Sequence, residues 1–305
     1  MLQDRPLLGI MLMLGFCVVA PMGDAVAKLL GQSVPLGQLL VVRFAIQAVV
    51  LIPLVWLGRR VWKMRGRVLR LTALRTGLHI FGIGAMFMAL QYLPLADAVA
   101  IAFVMPFLML LLGKYVLKEE VGTRRLIACA VGFIGTLLVI QPSFADVGWP
   151  AFLPLIVAVN FAVFMLVTRQ IAKDTDPIGL QAVSGVMAVV FMAPLLWLTQ
   201  NTNFPALQFN AVTNTEMMLL AAIGVLGTLA HLLMTWSLRF APSATLAPMQ
   251  YLEIPVATVI GFIVFSDLPN GLSAIGIAIT IASGLYIVMR ERAIAQLEAR
   301  GPVPA

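Results

Sequence analysis

Apolar residues in this chain gather into ten long runs of about twenty residues, the length a helix needs to cross a bilayer. The runs cover 7–30, 36–58, 71–91, 95–117, 124–141, 149–171, 178–199, 215–238, 243–266 and 271–290. Polar residues, glycines and prolines break them at Ser33–Pro35, Leu93–Pro94, Lys118–Thr123, Pro142–Gly148, Ala172–Pro177, Thr199–Asn214, Phe240–Pro242 and Asp267–Gly271, and a basic block parts the second run from the third. Ten helices with short connections imply antiparallel neighbours in a compact bundle.

Composition supports this pattern. Of 305 residues, 61% are hydrophobic and 11% charged, against about 45–50% apolar in a soluble domain. Mean hydropathy is +1.02. Too few polar residues remain to coat a water-soluble fold, so the class is an all-α polytopic membrane protein. The first run follows Met1–Pro6 directly, is too long for a signal-peptide core and lacks a small-residue cleavage site, so it is expected to stay as a helix. Cys17 and Cys129 lie inside apolar runs and suggest neither a disulfide nor a metal site.

The net charge of +7 changes the picture through its distribution. Arg59, Arg60, Lys63, Arg65, Arg67, Arg70 and Arg75 form one block between apolar runs, without the stacking aromatics of a nucleic-acid site. Such a block ordinarily holds a loop in the cytoplasm. With both termini cytoplasmic, the remaining Lys and Arg also fall in cytoplasmic segments or adjoining helix ends, apart from Lys28 and Arg43 within helices.

An internal repeat appears when residues 92–140 are laid over 240–288, a shift of 148. Pro94 meets Pro242, Gly113 meets Gly261, Ala130 meets Ala278 and Glu119 meets Asp267. Each half then holds an odd number of spans, five, so the halves insert upside down relative to each other, a design recurrent in secondary transporters. The expected units are 1–141 and 149–290, followed by a cytoplasmic tail, 291–305. Ala128, Gly132 and Thr136 in the last helix of the first half have Gly276, Thr280 and Gly284 as their repeat equivalents in the second. These small-residue faces suit close packing within the bundle or a homodimer contact, so monomer and homodimer both stay open.

The candidate chemistry is sparse. Glu253 falls near the middle of the ninth span, where a carboxylate costs about 2.5–3.5 kcal/mol and needs a partner, a proton or a wet cavity. Gln250, Glu253, Ala257 and Gly261 share a helix face, with Tyr251 beside them. Pro255 deprives the Tyr251 carbonyl of its helical donor. Asp24 and Lys28 are spaced i,i+4, and Asp24 and Arg43 both lie roughly 10 Å below the outer surface. Asp24 is expected to pair with Arg43 or Lys28, either as a gate or anion site or as a structural ion pair. His79 and His231 could couple protons beside Glu253 or rest as neutral hydrogen-bonded side chains. Trp236 is a belt residue or a ring for a cationic ligand, and Asn160 a lining residue. Asp97 reads as a solvated carboxylate at the start of the fourth span, and Glu119 and Glu120 as a solvated cluster. Two histidines without a third ligand do not make a metal site, and no cofactor is called for.

Ten spans in two five-helix halves, Pro106 followed by Glu119, and Tyr251-Leu-Glu253 in the ninth span resemble the drug/metabolite transporter superfamily, and within it the EamA-type carriers. The segment Asp24-Ala-Val-Ala-Lys28 with Pro35, Gln38, Arg43 and Phe44 is similar to a subgroup that includes S-adenosylmethionine uptake carriers. Ile254 departs from the pattern, standing where Pro106 would map, with Pro255 one place later. The resemblance implies a multi-pass protein of a bacterial cytoplasmic (inner) membrane. It would move a small, amino-bearing or zwitterionic metabolite by alternating access, with membrane lipid as its surroundings and no nucleic-acid partner. Proton coupling and solute exchange are both open. No G-x-x-x-x-G-K-[ST] loop for ATP is present. The rival readings are a membrane-embedded enzyme using Glu253 and a histidine, which lacks a paired catalytic motif, and a passive channel.

Overall fold

The computed structural model describes residues 5–118, 122–200, 202 and 204–299. Among them all regular structure is helical. The helices are α1 (Pro6–Leu30), α2 (Leu36–Leu57), α3 (Gly66–Ala89), α4 (Leu95–Ala102), α5 (Met105–Tyr115), α6 (Thr123–Val147), α7 (Leu153–Ile171), α8 (Pro177–Thr199), α9 (Asn214–Phe240), α10 (Ser243–Leu246), α11 (Glu253–Phe265) and α12 (Gly271–Ala299). Eight helical segments are long and apolar enough to cross a membrane, α4 and α5 counting as one, and two shorter apolar helices cover Met249–Phe265 and Gly271–Tyr286. Outward faces carry large apolar side chains: Val49 is 70% exposed, Ile263 73% and Trp56 80%. Water would not tolerate such a surface, but acyl chains suit it. The chain is a multi-pass membrane protein.

Polar contacts sort the helix ends into two groups. At one end Arg60 pairs with Asp176 at 3.3 Å, Arg67 donates to Gln170, Arg169 to the Leu238 carbonyl and Arg239 to that of Thr175. At the other, Lys28 pairs with Asp267, Gln91 donates to the Gly31 carbonyl and Gln38 joins Asn210. Successive long segments therefore run in opposite directions. The strongest pairings are α1 with α9, α3 with α7, α2 with α8 and α6 with α12.

The small-residue faces meet inside the chain, where α6 crosses α12. A Cβ on Gly135 would stand 2.5 Å from the Thr280 hydroxyl, and one on Gly276 would run into the Gly135 carbonyl. Thr280 donates to the Gly132 carbonyl across the crossing, and Ser283 to that of Ala128.

The fourth and ninth spans are not continuous helices. Pro106, in the first turn of α5, has no N–H to extend the ladder of α4, and the chain breaks at Phe103–Val104. In the ninth span α10 passes into a 3-10 stretch, Ala247–Leu252, before α11 begins at Glu253. Met105 and Glu253, a shift of 148 apart, each open the second piece of a broken span.

Several boundaries differ from the sequence reading. Helix α6 continues through position 142 to a turn at Gly148, whose φ of +70° suits glycine. Helix α12 runs on to Ala299, taking in most of the expected tail. Helix α3 starts at Gly66, which carries Arg75 into the bundle: it is fully buried, not part of a solvated loop block. Asp97 is also buried, 7% exposed, and accepts a 3.0 Å bond from Ser143. Glu119 and Glu120 lie outside the described residues.

Candidate functional site

A cavity of about 100 Å³ opens where α1, α3, α4, α5, α7, α9 and α11 converge. Every third or fourth residue of α1 turns toward it, so Phe16, Ala20 and Asp24 line up on its wall. The broken spans contribute Phe103, Met105 and Glu253, and α9 contributes His231. Phe87 and Phe161 complete an aromatic lining. A second lobe of about 50 Å³ shares Ala20, Asp24, Ile83, Phe87 and His231 with the first and reaches Arg43 and Gly227. The two form one compartment with carboxylates and an arginine on its walls.

Glu253 is 8% exposed and Arg43 3% exposed. The guanidinium rests 5.1 Å from the Phe44 ring, and its Nη1 has no hydrogen-bond partner. Gly227 makes room for it, since a Cβ there would lie 2.6 Å from Nε. An arginine held this way, with a donor unspent beside a cavity, is equipped to take a planar anionic group.

His79 and His231 pack with ring centroids 4.1 Å apart. Phe44 and Phe164 flank the first and Phe16, Phe161 and Phe164 the second. Neither nitrogen of His79, nor Nδ1 of His231, has a hydrogen-bond partner on the protein, so ring packing holds the pair in place.

Beneath the pair lies Arg75, four residues before His79 on α3. Its three nitrogens donate to the hydroxyls of Thr168, Ser184 and Thr235, and Phe164 stacks 4.6 Å away. Gln181 bridges to Thr235 and the His231 carbonyl, and Gln47 to Gln181. This polar layer joins α2, α3, α7, α8 and α9. Sequence reasoning counted Arg75 with the basic block, although it falls within the third run, 71–91, and its spacing of four from His79 put both on one face.

The expected ion pair of Asp24 is corrected. No ion pair joins Asp24 to Lys28 or Arg43 among the described residues; Lys28 instead bonds Asp267 at 3.0 Å and the Leu93 carbonyl at 3.1 Å, over the Phe265 ring. Position along α1 explains this for Lys28, which lies at the helix end, one turn above the cavity, where the start of α4 and the end of α11 meet.

Other candidates stand apart from the cavity. Tyr251 is fully buried against Gly132, with its hydroxyl 3.4 Å from the Cys129 carbonyl. The Gln250 amide reaches the sulfurs of Met165 and Met13. Asn160 donates to the Leu78 carbonyl at 2.8 Å and presses on Gly82. Trp236 packs in a separate cluster with Leu51, Val55, Ala182 and Leu232. The aromatic lining gave no signal in the sequence, where a phenylalanine within an apolar run is ordinary.

The sequence profile of the EamA-like transporter family matches residues 7–141 and again 148–289, nearly the whole chain. The chain belongs to the EamA-like transporter family. Membership points to a transporter, not an enzyme. The chain is 24% identical over 273 residues to an S-adenosylmethionine uptake transporter of Rickettsia bellii, spanning 88% of this chain and 89% of the relative. It is 28% identical over 232 residues to a riboflavin transporter of Brucella anthropi, spanning 72% and 80%. A riboflavin transporter of Vibrio cholerae is 26% identical over 296 residues, spanning 95% and 96%. A solved crystal structure superposes with a TM-score of 0.68 over 93% of this chain and 96% of the other, at 20% identity, so the fold is shared.

Proposed function

We propose that this EamA-family chain is a secondary transporter of a bacterial cytoplasmic membrane. In this reading it carries a small amino-bearing or zwitterionic metabolite by alternating access between two inverted five-helix halves, 1–141 and 149–290. The observation that carries the reading is the shared compartment, where Asp24 and Arg43 come from the first half and His231 and Glu253 from the second. A cargo carboxylate meets Arg43, an ammonium meets Asp24 or Glu253, and a flat ring lies among Phe16, Phe87, Phe103 and Phe161.

Helix pairing supports the inverted repeat. With α4–α5 and α10–α11 each counted as one span, exchanging every span for the one five places away maps the pairings onto themselves. The contact of α1 with α9 becomes that of α7 with α3, and α2–α8 and α6–α12 map onto themselves. The family profile matching twice and the breaks at Met105 and Glu253 point the same way. The distribution of arginine and lysine supports ten spans with the basic end in the cytoplasm.

The compartment, at about 100 Å³ in its larger lobe, is below the roughly 300–1,000 Å³ of a small-molecule site. Loading therefore requires the helices around it to separate, as alternating access supposes. S-adenosylmethionine has an ammonium, a carboxylate, a sulfonium and a flat base, each with a complementary group on these walls. It is the first cargo to test, and riboflavin the second. In proteoliposomes, the purified chain should show saturable counterflow with one of them, lost in Glu253→Gln. Flux that rises linearly without saturation would favour a channel and overturn the proposal.

A further inference from the structure

Away from the central compartment, a groove of about 1030 Å³ runs between the end of α2, the following linker and the first half of α8. Its walls are apolar, with Ile52, Val183 and Val186 along the bilayer-facing stretch. Trp56 and Trp62 stand at its mouth, both exposed, and Arg59 and Arg60 form its rim at the basic end of the molecule.

The rim is held in place. Arg60 pairs with Asp176, whose other carboxylate oxygen caps the first turn of α8 through the amides of Ile178 and Gly179. The carbonyl of Val61 lies directly against Gly179, where any larger residue would collide with the linker backbone. Pinned on its far side, the linker turns at Arg59 with φ +46°, the left-handed position of a helix stop in which the Arg60 N–H donates to the Val55 carbonyl at 2.9 Å and the Arg59 N–H to that of Trp56 at 3.3 Å. Among the described residues no hydrogen bond, ion pair or ring contact engages the Arg59 guanidinium, whereas Arg60 is spent on Asp176.

We propose that this groove holds one anionic phospholipid of the adjacent leaflet, with its phosphate at Arg59 and an acyl chain along Ile52, Val183 and Val186. The charge at the rim, the interfacial tryptophans and the apolar length beneath them match the three zones of such a lipid in the order in which a leaflet presents them. A zwitterionic lipid fits the apolar part but brings its own ammonium toward Arg59. The lining of the groove carries no carboxylate that could meet Arg59 of a second copy across a two-fold contact.

The test uses the full chain, delipidated in a neutral detergent. It is titrated with phosphatidylglycerol and with phosphatidylcholine of the same acyl chains, reading thermal unfolding and bound lipid by native mass spectrometry. Phosphatidylglycerol should be retained and should raise the unfolding temperature more than phosphatidylcholine does. Arg59→Asn should weaken that retention about fivefold, the effect of one basic contact. Lipid-free, that variant should unfold where the parent does, because asparagine accepts the left-handed backbone. Val186→Trp, which obstructs the apolar stretch and keeps the charge, should weaken retention of both lipids. Equal retention of the two lipids, undiminished phosphatidylglycerol binding by Arg59→Asn, or cross-linking of two chains through Val186→Cys would each overturn the proposal.

Discussion

The imidazoles of His79 on α3 and His231 on α9 lie against each other, 4.1 Å between ring centroids and tilted by 61°, without a hydrogen-bond partner for three of their four nitrogens. Buried polar atoms are ordinarily paired, and leaving one unpaired costs about 1–3 kcal/mol. The pair lies beside a compartment that also holds Glu253 and Arg43.

Replacing His79 with phenylalanine keeps the ring and removes the unpaired nitrogens. Such a change is neutral or stabilising, by up to about 1–3 kcal/mol. Thermal unfolding in detergent should show His79→Phe at least as stable as the parent while its transport falls. A destabilised protein would mean that the nitrogens have partners after all.

Glu253→Gln keeps shape and hydrogen-bonding capacity but removes the carboxylate from the compartment. Counterflow should drop by at least about tenfold, the effect of losing a single charged contact of roughly 1.4 kcal/mol, with the unfolding temperature unchanged. Normal flux in this variant would take Glu253 out of the site.

Arg75→Lys keeps the charge but cannot reach Thr168, Ser184 and Thr235 together, as the guanidinium fork does. The loss should be about 1–3 kcal/mol for the orphaned contacts, read as a lowered unfolding temperature. Because Arg75 does not line the compartment, substrate affinity in the surviving folded protein should hold.

Lys28 and Asp267 join the end of α1 to the end of α11, with side chains 16% and 35% exposed. A pair this open contributes at most about 1 kcal/mol, so Asp267→Asn should barely change stability. If the pair closes this end of the compartment, a cysteine placed at Phe87 should react faster with a membrane-impermeant thiol reagent added from that side. An unchanged labelling rate would assign the pair a purely structural part.

Glycine replacements separate close packing from helix propensity. Gly276→Ala pushes a methyl into the backbone of α6 and should cost about 1–3 kcal/mol through forced separation of the helices. Gly77→Ala, in α3, meets nothing within 4 Å and should gain up to about 1 kcal/mol. Unfolding midpoints moving in opposite directions would confirm the α6–α12 crossing.

Hydropathy by itself determined that this chain lives in a membrane, how many apolar segments it has and roughly where each begins and ends. That information is local, because burying backbone in lipid demands about twenty apolar residues in a row wherever they occur. The position of Glu253 within its run marked the compartment for the same reason, since a carboxylate there is too costly to be incidental. Which polar groups share a wall was decided only by the fold. Lys28 could have turned to Asp24 but joins Asp267, and Arg75 looked like the end of a solvated basic block but lies at the centre of a polar layer. Tyr251 and Glu253 are two residues apart, yet the first points at α6 and the second into the cavity. Helix rotation, the 3-10 stretch before α11 and the crossing angles set these outcomes. Each depends on how side chains from distant segments fill space together, which no stretch of sequence specifies alone.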